Sequence, residues 1–308
     1  MNKGINIIFK TMNQLKVKLS VLNLLCVAIL LTGCTNEGNP EKASTIESNK
    51  KVLYEELLPD EFVERINECP IAYLPLGTLE WHGLHLPLGT DGIIPREFFK
   101  IMAEKIGGIV LPMLFLGPEQ IKKKPNGDDF AYLGMDFYSF DEDHMQQLEG
   151  TAYYIDTELF DRTLETILWN LSRAGFKIVI AHGHTPSTKL FNEKIETYEK
   201  QFGLKLFELW SLCGFGNEGI QTDHAAFNET TLVMGLRPDL VDMTKINNDT
   251  DMIGIWGTDP RKSASYNEGK RIIDKNLLIA EEKLKKTLLD IRWEKRQIKH
   301  NNMIKLYD

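Results

Sequence analysis

What most limits the folds open to this chain is an alternation. Short, wholly apolar runs take turns with longer runs whose apolar residues recur at helical spacing. "IAYLPLG" (71–77) reads as a buried strand, and "PREFFKIMAEKIG" as a helix with Pro95 at its start and Gly107 at its end. "GIVLPMLFLG" reads as a second strand. "DTELFDRTLETILWNLSRAGF" is amphipathic, with Leu159, Phe160, Leu164, Ile167, Leu168 and Leu171 at helical spacing and Gly175 as its stop. "KIVIAHGH" is a strand running into a loop, and "LKLFELWSL" is another strand. "ETTLVMGLRPDLV" is helical up to Pro238, and "NEGKRIIDKNLLIAEEKLKKTLLDIRWEKRQI" is a long helix with a charged outer face. Strands alternating with helices of this length point to an α/β domain with a largely parallel sheet. One segment is irregular, residues 117–150, polar and aromatic by turns. Loops of that length are either functional or surface excursions.

Hydrophobic residues make up 43% of the 308, enough for a sizeable core. The formal net charge of −8 argues against nucleic acid as a partner. The N-terminus differs from the rest. "MNKGINIIFKTMNQLKVK" is basic, "LSVLNLLCVAILL" is apolar but short for a membrane span, and "LTGC" follows, ending at Cys34. These are the parts of a secretory signal, and "LTGC" resembles a bacterial lipobox. The expectation is a signal peptide over 1–33, a lipid on Cys34, a flexible polar tether over 34–51, and a folded domain over 52–308. The protein would be exported and membrane-anchored, in the periplasm or at the cell surface. Loss of residues 1–33 removes four lysines and no acid, taking the charge from −8 to −12. Cys69 and Cys213 then remain, with no metal-type spacing.

Chemistry concentrates in "LPLGTLEWHGLHLPLGTD" (74–91). Glu80 and His82 are two apart just after a strand, where extended backbone points both the same way. Asp91 follows just before a helical segment, a favourable place for a carboxylate. His184 sits straight after "KIVI", and in open α/β sheets ligands bind at the carboxyl ends of strands. "QTDHAAFNETT" adds Asp223, His224 and Glu229 in a loop before a helix. Imidazoles and carboxylates without thiolates suit zinc, manganese or iron(II). Two histidines and three carboxylates exceed what one tetrahedral ion needs. They suit two ions sharing a carboxylate and a water that ionises at neutral pH, a device for attacking carbonyl carbon, with amide hydrolysis the plain candidate.

The same segment resembles the signature of the creatininase family, in which Glu-x-His, a His-Leu-Pro and a later Asp recur in this order. "GHTPS", "DHAAFNETT" and "GIWGTDPRKSASYNEGKRIID" are similar to three further family stretches, and the resemblance runs from about residue 52 to 290. It implies a three-layer α/β/α domain with a mostly parallel sheet, acting on a small amide or lactam. It implies that Asp91 bridges two divalent ions, that Glu80 and His184 complete one, and that His82 and Glu229 complete the other. His224 would transfer the proton. The family's usual metals are zinc, manganese or iron, and its usual assembly is a homohexamer.

The chain also departs from the family. His182 stands where an Asn is common, and Pro186 stands where creatininase itself has a Glu two residues after the metal His. The tryptophans that cover creatinine have no clear counterparts before His224. Two rival readings follow: a lipid-anchored protein that binds a ligand without turnover, and a metal-dependent peptidase or deformylase acting on a larger substrate. Asp223 reads as a residue that orients a neighbour, His85 either as one that orients a ligand or as a buried histidine bonded to backbone, His182 as an extra ligand, a substrate contact or a structural residue, and Trp81 and Trp210 as core or pocket wall.

Overall fold

In the computed structural model, residues 51–119, 121–123, 129–131, 148, 150, 153–247 and 251–304 are described. The signal, Cys34 and the tether up to residue 50 lie outside them, as does most of the irregular 117–150 segment. In chain order the first elements are helix α1 (Pro59–Glu68), strand β1 (Ile71–Leu76), helix α2 (Thr90–Ile106) and strands β2 (Ile109–Val110) to β6. Of these, β3 is Gly117–Pro118, β4 Ile121–Lys123, β5 Asp129–Ala131 and β6 Tyr154–Ile155. Then come α3 (Thr157–Ala174), β7 (Ile178–Gly183), α4 (Thr185–Glu193), α5 (Ile195–Phe202) and β8 (Lys205–Phe207). The chain ends with α6 (Leu209–Cys213), α7 (Phe227–Leu236) and α8 (Tyr266–Ile304).

Every residue of β1 and of β7 is buried, and the pleat deals their side chains to two separate cores. Ile71, Tyr73, Ile178 and Ile180 pack with residues of α2, α6, α7 and α8. Ala72, Leu74, Leu76, Val179 and Ala181 pack with residues of α3, α4 and α5, and α1 adds Phe62 and Ile66 at the margin. A sheet buried on both faces must carry helices on both faces, so the three-layer α/β/α arrangement follows from the strand composition. The sheet order is β2-β1-β7-β8, and every pairing is parallel. The chain leaves β1 toward β2 on one side and returns to β7 on the other. That reversal opens a crevice at the carboxyl ends of β1 and β7, where such sheets bind ligands.

Gly183 closes this seam. It pairs with Leu76 at the end of the ladder, and a Cβ built on it would lie 1.3 Å from the Leu76 carbonyl oxygen. Only glycine permits the two strand ends to meet there.

Several boundaries differ from the sequence reading, each for a local reason. Helix α2 starts at Thr90, and Pro95 lies inside it. The "GIVLPMLFLG" run gives only Ile109–Val110 as a regular strand, because an extra residue bulges it between the Leu111 amide on the Tyr73 carbonyl and the Leu114 amide on the Pro75 carbonyl; pairing resumes at the Leu114–Leu76 bridge, and Gly117 opens β3. "LKLFELWSL" splits: β8 ends at Phe207, and the Glu208 carboxylate accepts the Trp210 and Ser211 amides to start α6. "HTPS" opens a helix, with Pro186 in its first turn. Leu159 is exposed while Phe160, Leu164, Leu168 and Leu171 carry the buried face of α3. Cys69 and Cys213 are both free thiols. Among the described residues, no helix is long and apolar enough to cross a membrane.

Candidate functional site

Four chain segments converge at the carboxyl end of the sheet. The loop after β1 brings Glu80 and His82. The first turn of α2 brings Asp91, the residue after β7 is His184, the approach to α7 brings His224, and the first turn of α7 brings Glu229. Their ligand atoms fall into three groups, each mutually within 4.8 Å: Glu80, Asp91 and His184; His82, Asp91 and Glu229; and Glu80, His82 and His224. All six residues singled out from sequence are therefore in one place, and Asp91 belongs to both of the groups that pair carboxylates with a single histidine.

The spacing within the site is informative. His82 Nε2 lies 3.7 Å from Asp91 Oδ1 and 3.5 Å from Glu229 Oε2. His184 Nε2 lies 3.6 Å from Glu80 Oε2 and 3.3 Å from Glu119 Oε2. A direct charge-assisted hydrogen bond closes to about 2.7–2.9 Å. Two ligands each about 2.1 Å from a tetrahedral ion sit about 3.4 Å apart. The observed separations match the second case. His82 Nε2 and Asp91 Oδ2 are fully buried and have no hydrogen-bond partner among the described residues. Donor chemistry and orphaned atoms both fit divalent cations.

The ring nitrogens are set by their other bonds. His82 Nδ1 donates to the Glu80 carbonyl at 3.0 Å, which turns Nε2 toward the carboxylates. His224 Nε2 donates to the Trp81 carbonyl at 2.9 Å, and its ring centroid lies 4.4 Å from that of His82.

Charge in this pocket is under strain. Burial and the neighbouring Asp91 push the Glu80 carboxyl up to about 8, and burial above all holds Glu229 well above the usual carboxylate range. Burial opposes a charge on His82, yet Asp91 and Glu229 hold its imidazole up at about 10. Burial likewise opposes ionisation of Asp91, yet His82 keeps that carboxyl below its ordinary value. His224 moves the other way: burial and the His82 cation lower it to about 3, so it is neutral near pH 7. Four buried carboxylates, counting Glu119, crowd around His82 and His184. Added positive charge relieves such crowding.

Two residues that the sequence reading passed over hold the cluster in shape. Gln221 Nε2 donates to Asp91 Oδ1 at 2.6 Å and to the Asp91 carbonyl at 3.4 Å. That carbonyl is the one Pro95, lacking an N–H, cannot use as an α-helical acceptor. Gln221 and Ala225 both adopt left-handed backbone, φ 58° and 52°, which costs a non-glycine residue about 1 kcal/mol or more. The Ala225 amide donates to Glu229 Oε2 at 2.7 Å, and the Trp210 indole donates to the Ile220 and Gln221 carbonyls. The strained turn thus aims one clamp at Asp91 and another at Glu229. Asp223 accepts the Asn228 and Glu229 amides and anchors the start of α7. His85 bonds Thr230 Oγ1 and His182 bonds the Ile220 carbonyl, and neither joins a ligand group.

Above the cluster opens a cleft of about 470 Å³. Glu119, Trp210, Phe215 and Trp256 are among its walls. Phe215 and Trp256 are 70% and 63% exposed, an aromatic rim over an acidic floor.

The family profile described as "Creatininase: Creatinine amidohydrolase" matches residues 55–275. The chain belongs to the creatininase family. It is 26% identical over 219 residues to the creatinine amidohydrolase of Pseudomonas putida, covering 64% of this chain and 76% of that protein. Its fold is similar to a solved creatinine amidohydrolase (creatininase), with a TM-score of 0.58 and 22% identity over 77% of this chain and 98% of that one. A structure described as "Creatininase Mn" gives a TM-score of 0.55 at 22% identity, with the same two coverages.

Proposed function

We propose that this protein is a metal-dependent amidohydrolase that hydrolyses a C–N bond of a small amide or lactam. The observation that carries the reading is the double membership of Asp91: one carboxylate serves two ligand groups that share no other residue. In this reading Glu80, Asp91 and His184 hold one divalent ion, and His82, Asp91 and Glu229 hold the other. Zinc, manganese or iron would fit the donor set. Such ions, when bound, polarise a carbonyl and make a water acidic enough to ionise near neutral pH.

The chain's own residues supply the rest. Gln221 fixes Asp91 by two hydrogen bonds, and the Ala225 amide fixes Glu229. His224, beside the floor of the cleft, is positioned to carry a proton to the leaving nitrogen. The cleft volume falls within the range typical of small-molecule sites, about 300–1,000 Å³. Its aromatic rim suits a flat, polar substrate. Export, lipidation at Cys34 and assembly as a homohexamer complete the proposal. They rest on the "LTGC" ending and on the family resemblance.

The deciding experiment is metal content per chain with hydrolysis of a panel of amides and lactams. About two ions per chain and turnover of a panel member support the reading. Tight ligand binding without turnover would instead favour a binding protein.

A further inference from the structure

We propose that Glu119 is an additional ligand of the ion assigned to Glu80, Asp91 and His184. This rests on the metal-centre reading above and extends it to a residue outside the three ligand groups. Glu119 follows β3, and its side chain is only 5% exposed. Its Oε2 meets the cluster at His184 Nε2, the nitrogen that also faces Glu80, at 3.3 Å. That is the shortest of the imidazole–carboxylate separations in the site. Glu119 joins none of the three groups within 4.8 Å, so to reach the ion its carboxylate must turn from His184 toward Glu80 and Asp91.

The delivery of this carboxylate is built into the backbone. Strand β3 lies directly on the start of α4. A Cβ added at Gly117 would come within 2.5 Å of Ser187 Oγ, 3.0 Å of the Gly77 carbonyl and 3.4 Å of His184 Nδ1. Glycine at 117 therefore lets β3 press against the His184 turn, and Glu119 emerges two residues later at the imidazole. The local sequence after His184 offers no carboxylate: Thr185, Pro186 and Ser187 form the first turn of α4. Pro186 and Glu119 line the same cleft. A carboxylate that the His184 segment lacks thus arrives from a distant one.

The test is a Zn²⁺ titration of chelator-treated full-length protein against a chromophoric competitor. It compares wild type with Glu119→Gln, Glu119→Asp and Glu229→Gln. Glu119→Gln should weaken one of the two ions about tenfold or more and leave the other unchanged. Glu119→Asp, which keeps the charge, should recover part of that loss. Glu229→Gln should weaken the other ion, so the double variant should weaken both. Co²⁺ substitution adds a second readout, because loss of a ligand shifts the visible absorption of one bound ion and a merely structural residue does not. Two ions in the wild type with unchanged affinities and spectrum in Glu119→Gln overturn this inference alone, even if the metal-free variant melts lower. Absence of Zn²⁺ binding in wild type overturns the metal-centre reading along with it.

Discussion

Asp91→Asn is the sharpest perturbation of the site. Asparagine keeps the size of the side chain and an oxygen that can still accept from Gln221, so the clamp at 2.6 Å survives while the charge is lost. An ion present at 100 times its Kd stabilises the native state by about 2.7 kcal/mol, so two ions contribute about 5 kcal/mol. For a domain of this size each kcal/mol moves Tm by about 2–4 °C. Wild type should therefore melt roughly 10–20 °C higher with excess Zn²⁺ than with a chelator. Because Asp91 belongs to both ligand groups, Asp91→Asn should erase the whole difference. Glu80→Gln and Glu229→Gln, each in one group with Asp91, should each erase about half of it. Differential scanning fluorimetry with and without chelator reads all four proteins. A full metal-dependent shift in Asp91→Asn would falsify the shared-carboxylate arrangement. A half shift would mean that the two ions do not meet at Asp91.

Gln221→Ala removes both hydrogen bonds to Asp91 and should lower metal affinity about 10- to 100-fold, read by the same competition titration. Gly183→Ala puts a Cβ 1.3 Å from the Leu76 carbonyl. It should destabilise by about 4 kcal/mol or more, seen as loss of soluble protein or a collapsed denaturation midpoint. Asp161 joins α3 to α5 through Lys194 and Tyr198. Burial raises its carboxyl, but those two bonds outweigh it and leave the folded value below the unfolded one. Its contribution is therefore present above the unfolded carboxylate value and fades as pH falls through the folded one. Asp161→Asn should cost about 1 kcal/mol near pH 7 in urea unfolding, given its partial exposure, and progressively less in acid.

How far the sequence could be read depended on whether a feature was local. Strands β1 and β7 were legible because continuous apolar runs bounded by Gly or Pro leave few alternatives, and burial on both faces forces helices onto both. The stop of α3 at Gly175 was legible for the same reason, since αL backbone ends a helix wherever it occurs. The five metal-ligand candidates and His224 stood out because residue type and spacing, together with a family pattern, marked them without knowledge of the fold. The start of α2 was not legible. Pro95 usually opens a helix, but here its missing N–H falls one turn in, and the carbonyl it leaves unused is taken by Gln221, 130 residues away.

The tertiary structure alone decided the rest. Gln221 carries no signal in sequence; its role exists only because a strained turn, pinned by the Trp210 indole, aims it at Asp91. Glu119 lies in a segment that reads as irregular, and its meeting with His184 depends on β3 lying against α4 across a glycine. The aromatic rim of Phe215 and Trp256 is likewise assembled from separate loops. Strand and helix identity follow from short-range periodicity and turn chemistry. The geometry of a buried charged cluster depends on long-range packing, and no periodicity along the chain encodes it.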